Sequence, residues 1–206
     1  MAQYFQVHPE DPQQRLIKRS VEIVRSGGLI VYPTDSAYAF GCRMDDNDGL
    51  ERIRRIRQLE QDHNFTLVFV DLSQISTFAK INNEAFRLMK SLTPGPFTFV
   101  LPSTRETPRR LQDPKRKTIG IRLPDNPITQ ALVEELQEPL FSSTLILPGD
   151  DDAMADPEDI RDRLQNEVDL IIDGGIVSYE PTTIIGFTED RPEILRQGKG
   201  VAESLR

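Results

Sequence analysis

Residues 26–41 read SGGLIVYPTDSAYAFG, and this stretch decides the fold. Gly27-Gly28 suits the end of a helix, because glycine adopts the left-handed backbone without a Cβ penalty. Leu29 to Tyr32 do not alternate with polar residues, which is the pattern of a short strand covered on both faces. Pro33 has no N–H to give a ladder and stops the strand. Thr34, Asp35 and Ser36 then stand in the turn beyond a strand end, where open α/β sheets hold ligands. Two hydroxyls flanking a carboxylate fit a small polar ligand; an ordinary Pro-Thr-Asp turn followed by a strand fits the same residues.

Helix and strand signals alternate on either side. Residues 13–26 predict an amphipathic helix with Leu16, Ile17, Val21 and Val24 inward. A second helix follows Asn47 or Asp48 as cap, with Leu50, Ile53, Ile56 and Leu59 recurring every third residue. A third runs from Asn82 or Asn83 to Lys90. Asn126-Pro127 and Asp156-Pro157 each combine an N-cap with proline at the first helical position. Strands are predicted over 66–70, 97–101, 118–122, 140–147, 169–172 and 182–187. No internal repeat and no glycine-rich phosphate loop is present, so a nucleotide would be held by side chains and scattered backbone groups.

The 206 residues suffice for one domain with a sizeable core, and no compositional break argues for two. No apolar run reaches membrane-spanning length and the N-terminus lacks a signal-peptide pattern, so a cytoplasmic protein with no membrane partner is expected. Cys42, the single cysteine, reads as a packed thiol, and the two histidines lie too far apart for a metal pair. The formal net charge of −8 argues against a nucleic-acid partner until its distribution is considered. Residues 148–162 hold seven acids and one base. Residues 105–122 hold seven bases, among them Arg109, Arg110, Lys115, Arg116 and Lys117, against two acids. That segment is either a solvated basic loop or a surface for double-stranded RNA or tRNA.

Five segments occur together in order: the 26–41 stretch, LTPGPFTFVL (92–101), IGIRLPDNP (119–127), IIDGGIVSYEPTTIIGF (171–187) and ILRQGKG (194–200). This combination resembles the YrdC-like family, the threonylcarbamoyl-AMP synthases of tRNA modification, and most of all its YciO branch. The resemblance covers about residues 13–200, with 1–206 expected as a single YrdC-like domain. It implies an α+β fold with a twisted, mixed, partly antiparallel sheet, flanking helices and a large concave face. In the family, threonine and bicarbonate form a carbamate that is transferred onto the α-phosphate of ATP, with magnesium accompanying ATP and pyrophosphate released. No tightly bound metal is expected.

Residue by residue, the resemblance places Thr34, Ser36, Arg122, Ser143 and Thr182 at the amino acid, with Arg122 on its carboxylate. Arg57, Thr98, Thr144 and Arg196 fall at the nucleotide. Two parts depart from the family pattern. The Lys-x-Arg pair that grips phosphates is Arg57-Gln58-Leu59 here, and the asparagine of the Ser/Thr-x-Asn element is replaced by Ile146. Asp62-His63-Asn64, beside the first departure, adds either a polar or acid/base contact or a solvated loop. A charge-assisted hydrogen bond contributes about 1.5–3 kcal/mol, so both losses lower synthesis by roughly two to four orders of magnitude. The expectation is a degenerate adenylate site that binds ATP, AMP or the threonylcarbamoyl adenylate, with weak synthesis or hydrolysis. Alternatives are an RNA-binding protein without efficient catalysis and an accessory of carbamoyl transfer.

Overall fold

The first helix–strand junction shows how local chemistry builds the sheet. Helix α1 (Gln14–Arg25) buries Ile17, Val21 and Val24, and its last carbonyls are met by the backbone N–H of Ser26. Gly27 follows at φ +83°, and nothing lies within 4 Å of where its Cβ would stand. At Gly28 the demand is steric: a Cβ would sit 2.7 Å from the Ile23 carbonyl oxygen. The chain then enters β2 (Ile30–Tyr32), and Leu29, Ile30, Val31 and Tyr32 are wholly buried.

The computed structural model describes residues 1–59, 63, 65–187 and 191–205. Among these, the further strands are β1 (Gln3–Gln6), β3 (Ala39–Arg43), β4 (Thr66–Val68), β5 (Phe97–Pro102), β6 (Thr118–Arg122), β7 (Leu140–Thr144), β8 (Leu170–Asp173), β9 (Thr183–Gly186) and β10 (Glu193–Arg196). The further helices are α2 (Asn47–Arg57), α3 (Ile75–Phe78), α4 (Asn83–Leu92), α5 (Pro127–Leu136) and α6 (Pro157–Leu164). The fold is α+β. One ten-stranded mixed sheet has the order β1-β8-β2-β3-β7-β4-β6-β5-β9-β10. Parallel contacts join β1 to β8, β8 to β2, β4 to β6 and β5 to β9, and the rest are antiparallel.

Two strands (β1 and β10) were not expected, β3 is the strand that the ordinary-turn alternative placed after Pro33-Thr34-Asp35, and α2 is capped by Asp46, not by Asn47 or Asp48. The Asp46 carboxylate accepts from Gly49 N at 3.0 Å. Asn126 and Asp156 cap α5 and α6 as their Asx-Pro pairs foretold.

Register divides the side chains between two faces. Tyr32, Ser142, Thr144, Arg122, Thr98 and Arg196 follow one parity across the paired strands. Apolar residues of α1 and α5 cover this face around Ile30, Tyr32, Val68, Leu140 and Leu170. The β6-β5-β9-β10 part of the same face carries the arginines and threonines instead. The opposite face, with Val31, Phe40, Leu67, Phe99, Ile121 and Ile185, joins the larger core beneath α2, α4 and α6.

The junction separates two costs of adding a methyl group. Gly27→Ala meets only the left-handed backbone penalty, about 1–2 kcal/mol, whereas Gly28→Ala must displace a carbonyl and costs about 2–3 kcal/mol. Denaturant midpoints should therefore fall further for Gly28→Ala than for Gly27→Ala.

Candidate functional site

The turn between β2 and β3 carries Thr34, Asp35 and Ser36, all of them buried or nearly so. Thr34 spends its one hydroxyl hydrogen on the Ala37 carbonyl, 2.6 Å away, while Thr34 Oγ1 itself accepts from Ser36 N at 3.1 Å. The Ser36 hydroxyl lies 3.2 Å off as a third neighbour. Thr34 thus shapes the turn, and Ser36 keeps the more adaptable hydroxyl.

Arg122, at the end of β6, reaches into this turn. Its Nη2 donates to Asp35 Oδ1 at 2.7 Å and to Ser36 Oγ at 3.2 Å, with Thr34 Oγ1 at 3.5 Å. The ion pair is dry, with side-chain exposures of 6% and 8%. Asp35 Oδ2 accepts from Asp125 N, and Asp35 O accepts from Lys199 Nζ at 2.6 Å. Arg122 Nε is buried without an acceptor. The carboxylate on Arg122 is therefore the chain's own, where a ligand's was expected. Asp35 and Lys199 were both passed over as site residues. A carboxylate between two matched hydroxyls was the available signal for the first; nothing marked the second.

Next to Arg122 along the sheet, Thr98 and Thr182 share a 2.7 Å hydrogen bond, and Arg196 Nη2 donates to Thr182 O at 2.9 Å. Desolvation first, and then the positive charge of Arg122, hold the Arg196 guanidinium below its ordinary pKa. The structure thus brings Thr34, Ser36, Arg122, Thr98, Thr182 and Arg196 together. A pocket of about 360 Å³ opens beside them, lined by Thr34, Asp35, Pro96, Asp125, Ser178 and Lys199 among others.

Arg57 and Ser143 form a second group. Ser143 pairs with Phe40 and so faces α2. Arg57, at the end of α2, donates from Nη1 to Ser143 Oγ at 2.6 Å and from Nε to Ile146 O at 3.2 Å. No carboxylate among the described residues pairs with it, and burial draws its pKa down to about 10, leaving it cationic at neutral pH. His63 is half-buried against this group, with Nε2 3.4 Å from Arg57 Nη1; Asp62 and Asn64 lie outside the described residues. Thr144 has the parity of Arg122, and its side chain makes no hydrogen bond among the described residues.

The basic hairpin lies elsewhere. Pro102 pairs with Thr118, so the 103–117 connection emerges at the end of β5 and β6 remote from Arg122. Arg109, Arg116 and Lys117 line a concavity of about 1140 Å³ with Lys80 and Arg105. Lys115 is exposed on the same loop. Arg110 turns inward and donates to Met44 O at 3.1 Å, which removes it from that surface. Cys42 is buried, and burial pushes its thiol up, as a packed residue requires. No cluster of potential metal ligands occurs among the described residues. No helix among them is long and apolar enough to cross a membrane.

Residues 22–198 match the model of the Sua5/YciO/YrdC family, described as telomere recombination. The chain belongs to this family. YciO of Escherichia coli K12 is 57% identical over 200 residues, 97% of each chain. The crystal structure of E. coli YciO is similar with a TM-score of 0.96 and 55% identity, each chain covered completely. More distant is the threonylcarbamoyl-AMP synthase of Vibrio vulnificus, 26% identical over 186 residues, covering 88% of this chain and 98% of the synthase. P. abyssi Sua5 in complex with L-threonine has a TM-score of 0.87 at 26% identity, covering 95% of this chain and 57% of that one.

The Arg122–Asp35 pair makes a measurable demand on stability. Asp35→Ala leaves a buried guanidinium uncompensated and should cost about 3–5 kcal/mol. Asp35→Leu combined with Arg122→Met removes both charges and should recover much of that loss in thermal or denaturant melts. A double variant as unstable as Asp35→Ala would mean that the turn depends on the pair's geometry and not on charge balance.

Proposed function

We propose that the face carrying Arg122, Arg196, Thr98, Thr182 and Ser36 binds an adenylate of the threonylcarbamoyl-AMP type, and that the protein hydrolyses it faster than it makes it. The observation that carries this reading is the pairing of Arg122 with Arg196. Desolvation and then the nearby charge of Arg122 lower the proton affinity of Arg196, and the carboxylate at this place, Asp35, is paired with Arg122. Such a pair gains by taking up an anion, and hydroxyls beside it orient a ribose or an amino-acid hydroxyl. The likeness to a synthase and to a threonine-bound Sua5 supports the substrate class.

The balance toward hydrolysis rests on Leu59 and Ile146. In synthesis, carbamate attacks the α-phosphate and pyrophosphate leaves, so the site must stabilise a large departing negative charge. Arg57 is the one cation of the Lys-x-Arg pair that persists, and Leu59 packs against the core. Holding AMP better than pyrophosphate favours water as the partner of the adenylate. ATP with magnesium, threonine and bicarbonate are the ligands expected for the residual forward reaction.

Supplied with threonylcarbamoyl-AMP, the purified protein should release AMP well above the uncatalysed rate, and Arg196→Ala should remove most of that acceleration. Leu59→Arg with Ile146→Asn should raise synthesis from ATP, threonine and bicarbonate at least tenfold, within the range such contacts contribute. Background-level AMP release, unaffected by Arg196→Ala, would exclude adenylate turnover.

A second reading is favoured by the basic concavity of the 103–117 hairpin, which suits the phosphate backbone of double-stranded RNA. Changing Arg105, Arg109, Arg116 and Lys117 to glutamine should abolish duplex-RNA retention with little change in melting temperature, and wild-type retention should fall steeply with salt. Absence of retention by the wild type at low salt would reduce the hairpin to a solvated loop.

A further inference from the structure

Resting on the adenylate reading, we infer that Lys199 binds the carboxylate of the threonyl part, while Arg122 holds the turn beneath it. Arg122 is committed elsewhere. Its side chain is 6% exposed, and its Nη2 is spent on Asp35 Oδ1 with the Ser36 and Thr34 hydroxyls beside it. Its charge is matched by Asp35, and it is not among the residues that line the pocket of about 360 Å³. Lys199 does line that pocket, with Thr34, Asp35 and Ser178. Its Nζ donates to Asp35 O at 2.6 Å, and no carboxylate among the described residues pairs with it. An ammonium has three donors, so two are left for a ligand.

The backbone fixes where this lysine starts. Lys199 N donates to Pro181 O at 2.9 Å, and Gly198 N donates to Thr183 Oγ1 at 2.9 Å. The Thr183 hydroxyl donates to Gly200 O at 2.6 Å, and Gln197 Nε2 donates to the same carbonyl at 2.8 Å. A Cβ at Gly198 would collide with Pro181 O, so glycine is what lets the two segments lie this close. Lys199 thus bridges the segment after β10 to the β2–β3 turn. The turn from Asp35 O to a ligand's carboxylate asks only for side-chain rotation, which suits a compact charge on a flexible stem.

The charges on the face match those of the ligand. Threonylcarbamoyl-AMP carries two anionic groups, the threonyl carboxylate and the phosphate. With Arg122 neutralised by Asp35, Arg196 and Lys199 are the cations of this face that lack an acid partner among the described residues. Arg196, anchored on Thr182 O beside the Thr98 hydroxyl, is left for the phosphate, whose edge its planar fork fits. Lys199 is left for the carboxylate. Asp125 is the remaining charged group on the pocket wall; its exposed carboxylate only accepts, and suits the threonyl hydroxyl.

The test is a calorimetric titration of the wild type and Lys199→Met with three probes. These are AMP, a hydrolysis-resistant threonylcarbamoyl-AMP analogue, and the same analogue with the threonyl carboxylate replaced by a carboxamide. The wild type should bind the carboxylate analogue about 10–100-fold more tightly than the carboxamide, the size of one hydrogen bond between charged groups. Lys199→Met should lose that preference, with AMP affinity and melting temperature nearly unchanged. A preference kept by Lys199→Met, or an equal loss of affinity for all three probes, would overturn the assignment. So would a wild type that binds AMP and does not distinguish the two analogues. A wild type that binds none of the three would remove the adenylate reading beneath it.

Discussion

Asp35 is the point at which three distant segments are tied. Its carboxylate takes Arg122 from the end of β6 and the backbone N–H of Asp125, and its carbonyl takes Lys199. Both members of the ion pair are withdrawn from water, which is costly unless the geometry is good and other hydrogen bonds complete the charges. Here the 2.7 Å contact and the Asp125 amide do this for the carboxylate, while Arg122 retains a buried Nε without an acceptor. Thr129 adds a fourth anchor by donating to Pro33 O at 2.7 Å. The β2–β3 turn is thereby fixed to β6, to α5 and to the segment after β10.

This constraint orders the rest of the face. With the turn held, Ser36 and Arg122 share one small volume, and the β5–β9 pairing brings Thr98 and Thr182 alongside. A strand face that carries arginine and threonine cannot be covered by an apolar helix without leaving polar groups unmet. α1 and α5 accordingly pack over the β8–β2–β3 side, where Ile30, Tyr32 and Leu170 provide apolar surface. The open polar face and the covered apolar face are two consequences of one register.

Much of this architecture was legible because the signals were local. The glycine pair, the four-residue buried strand and the Asx-Pro helix starts depend on neighbours in sequence. β3 was legible only as the alternative of a strand after the turn, and the need for Gly41 in it was not: a Cβ there would lie 2.9 Å from the Tyr32 ring, a requirement visible only across the sheet. The structure brings Thr34, Ser36, Arg122, Thr98, Thr182 and Arg196 together and sets Ser143 with Arg57 apart from them, and their commitments could not be read. Thr34 gives its hydrogen to a backbone carbonyl, Arg122 is met by a carboxylate 87 positions away, and Arg110 turns inward to Met44. Each is a hydrogen bond whose partner lies in backbone geometry or in a remote segment, where residue type alone carries no information.

The departures at positions 59 and 146 illustrate how a fold outlasts a change in chemistry. Leu59 packs against the main core, and Ile146 offers Arg57 its backbone carbonyl, which any residue supplies. Neither substitution leaves a buried polar group unmet, so neither weakens the fold. Their effect falls on charge capture. Arg57 has five N–H donors, and three are directed at Ile146 O, Ser143 Oγ and His63 Nε2. About two remain for a ligand, enough for one bidentate phosphate edge. A departing pyrophosphate spreads its charge over two phosphorus centres and needs more donors than one anchored guanidinium has left. A single α-phosphate asks for no more than Arg57 can give.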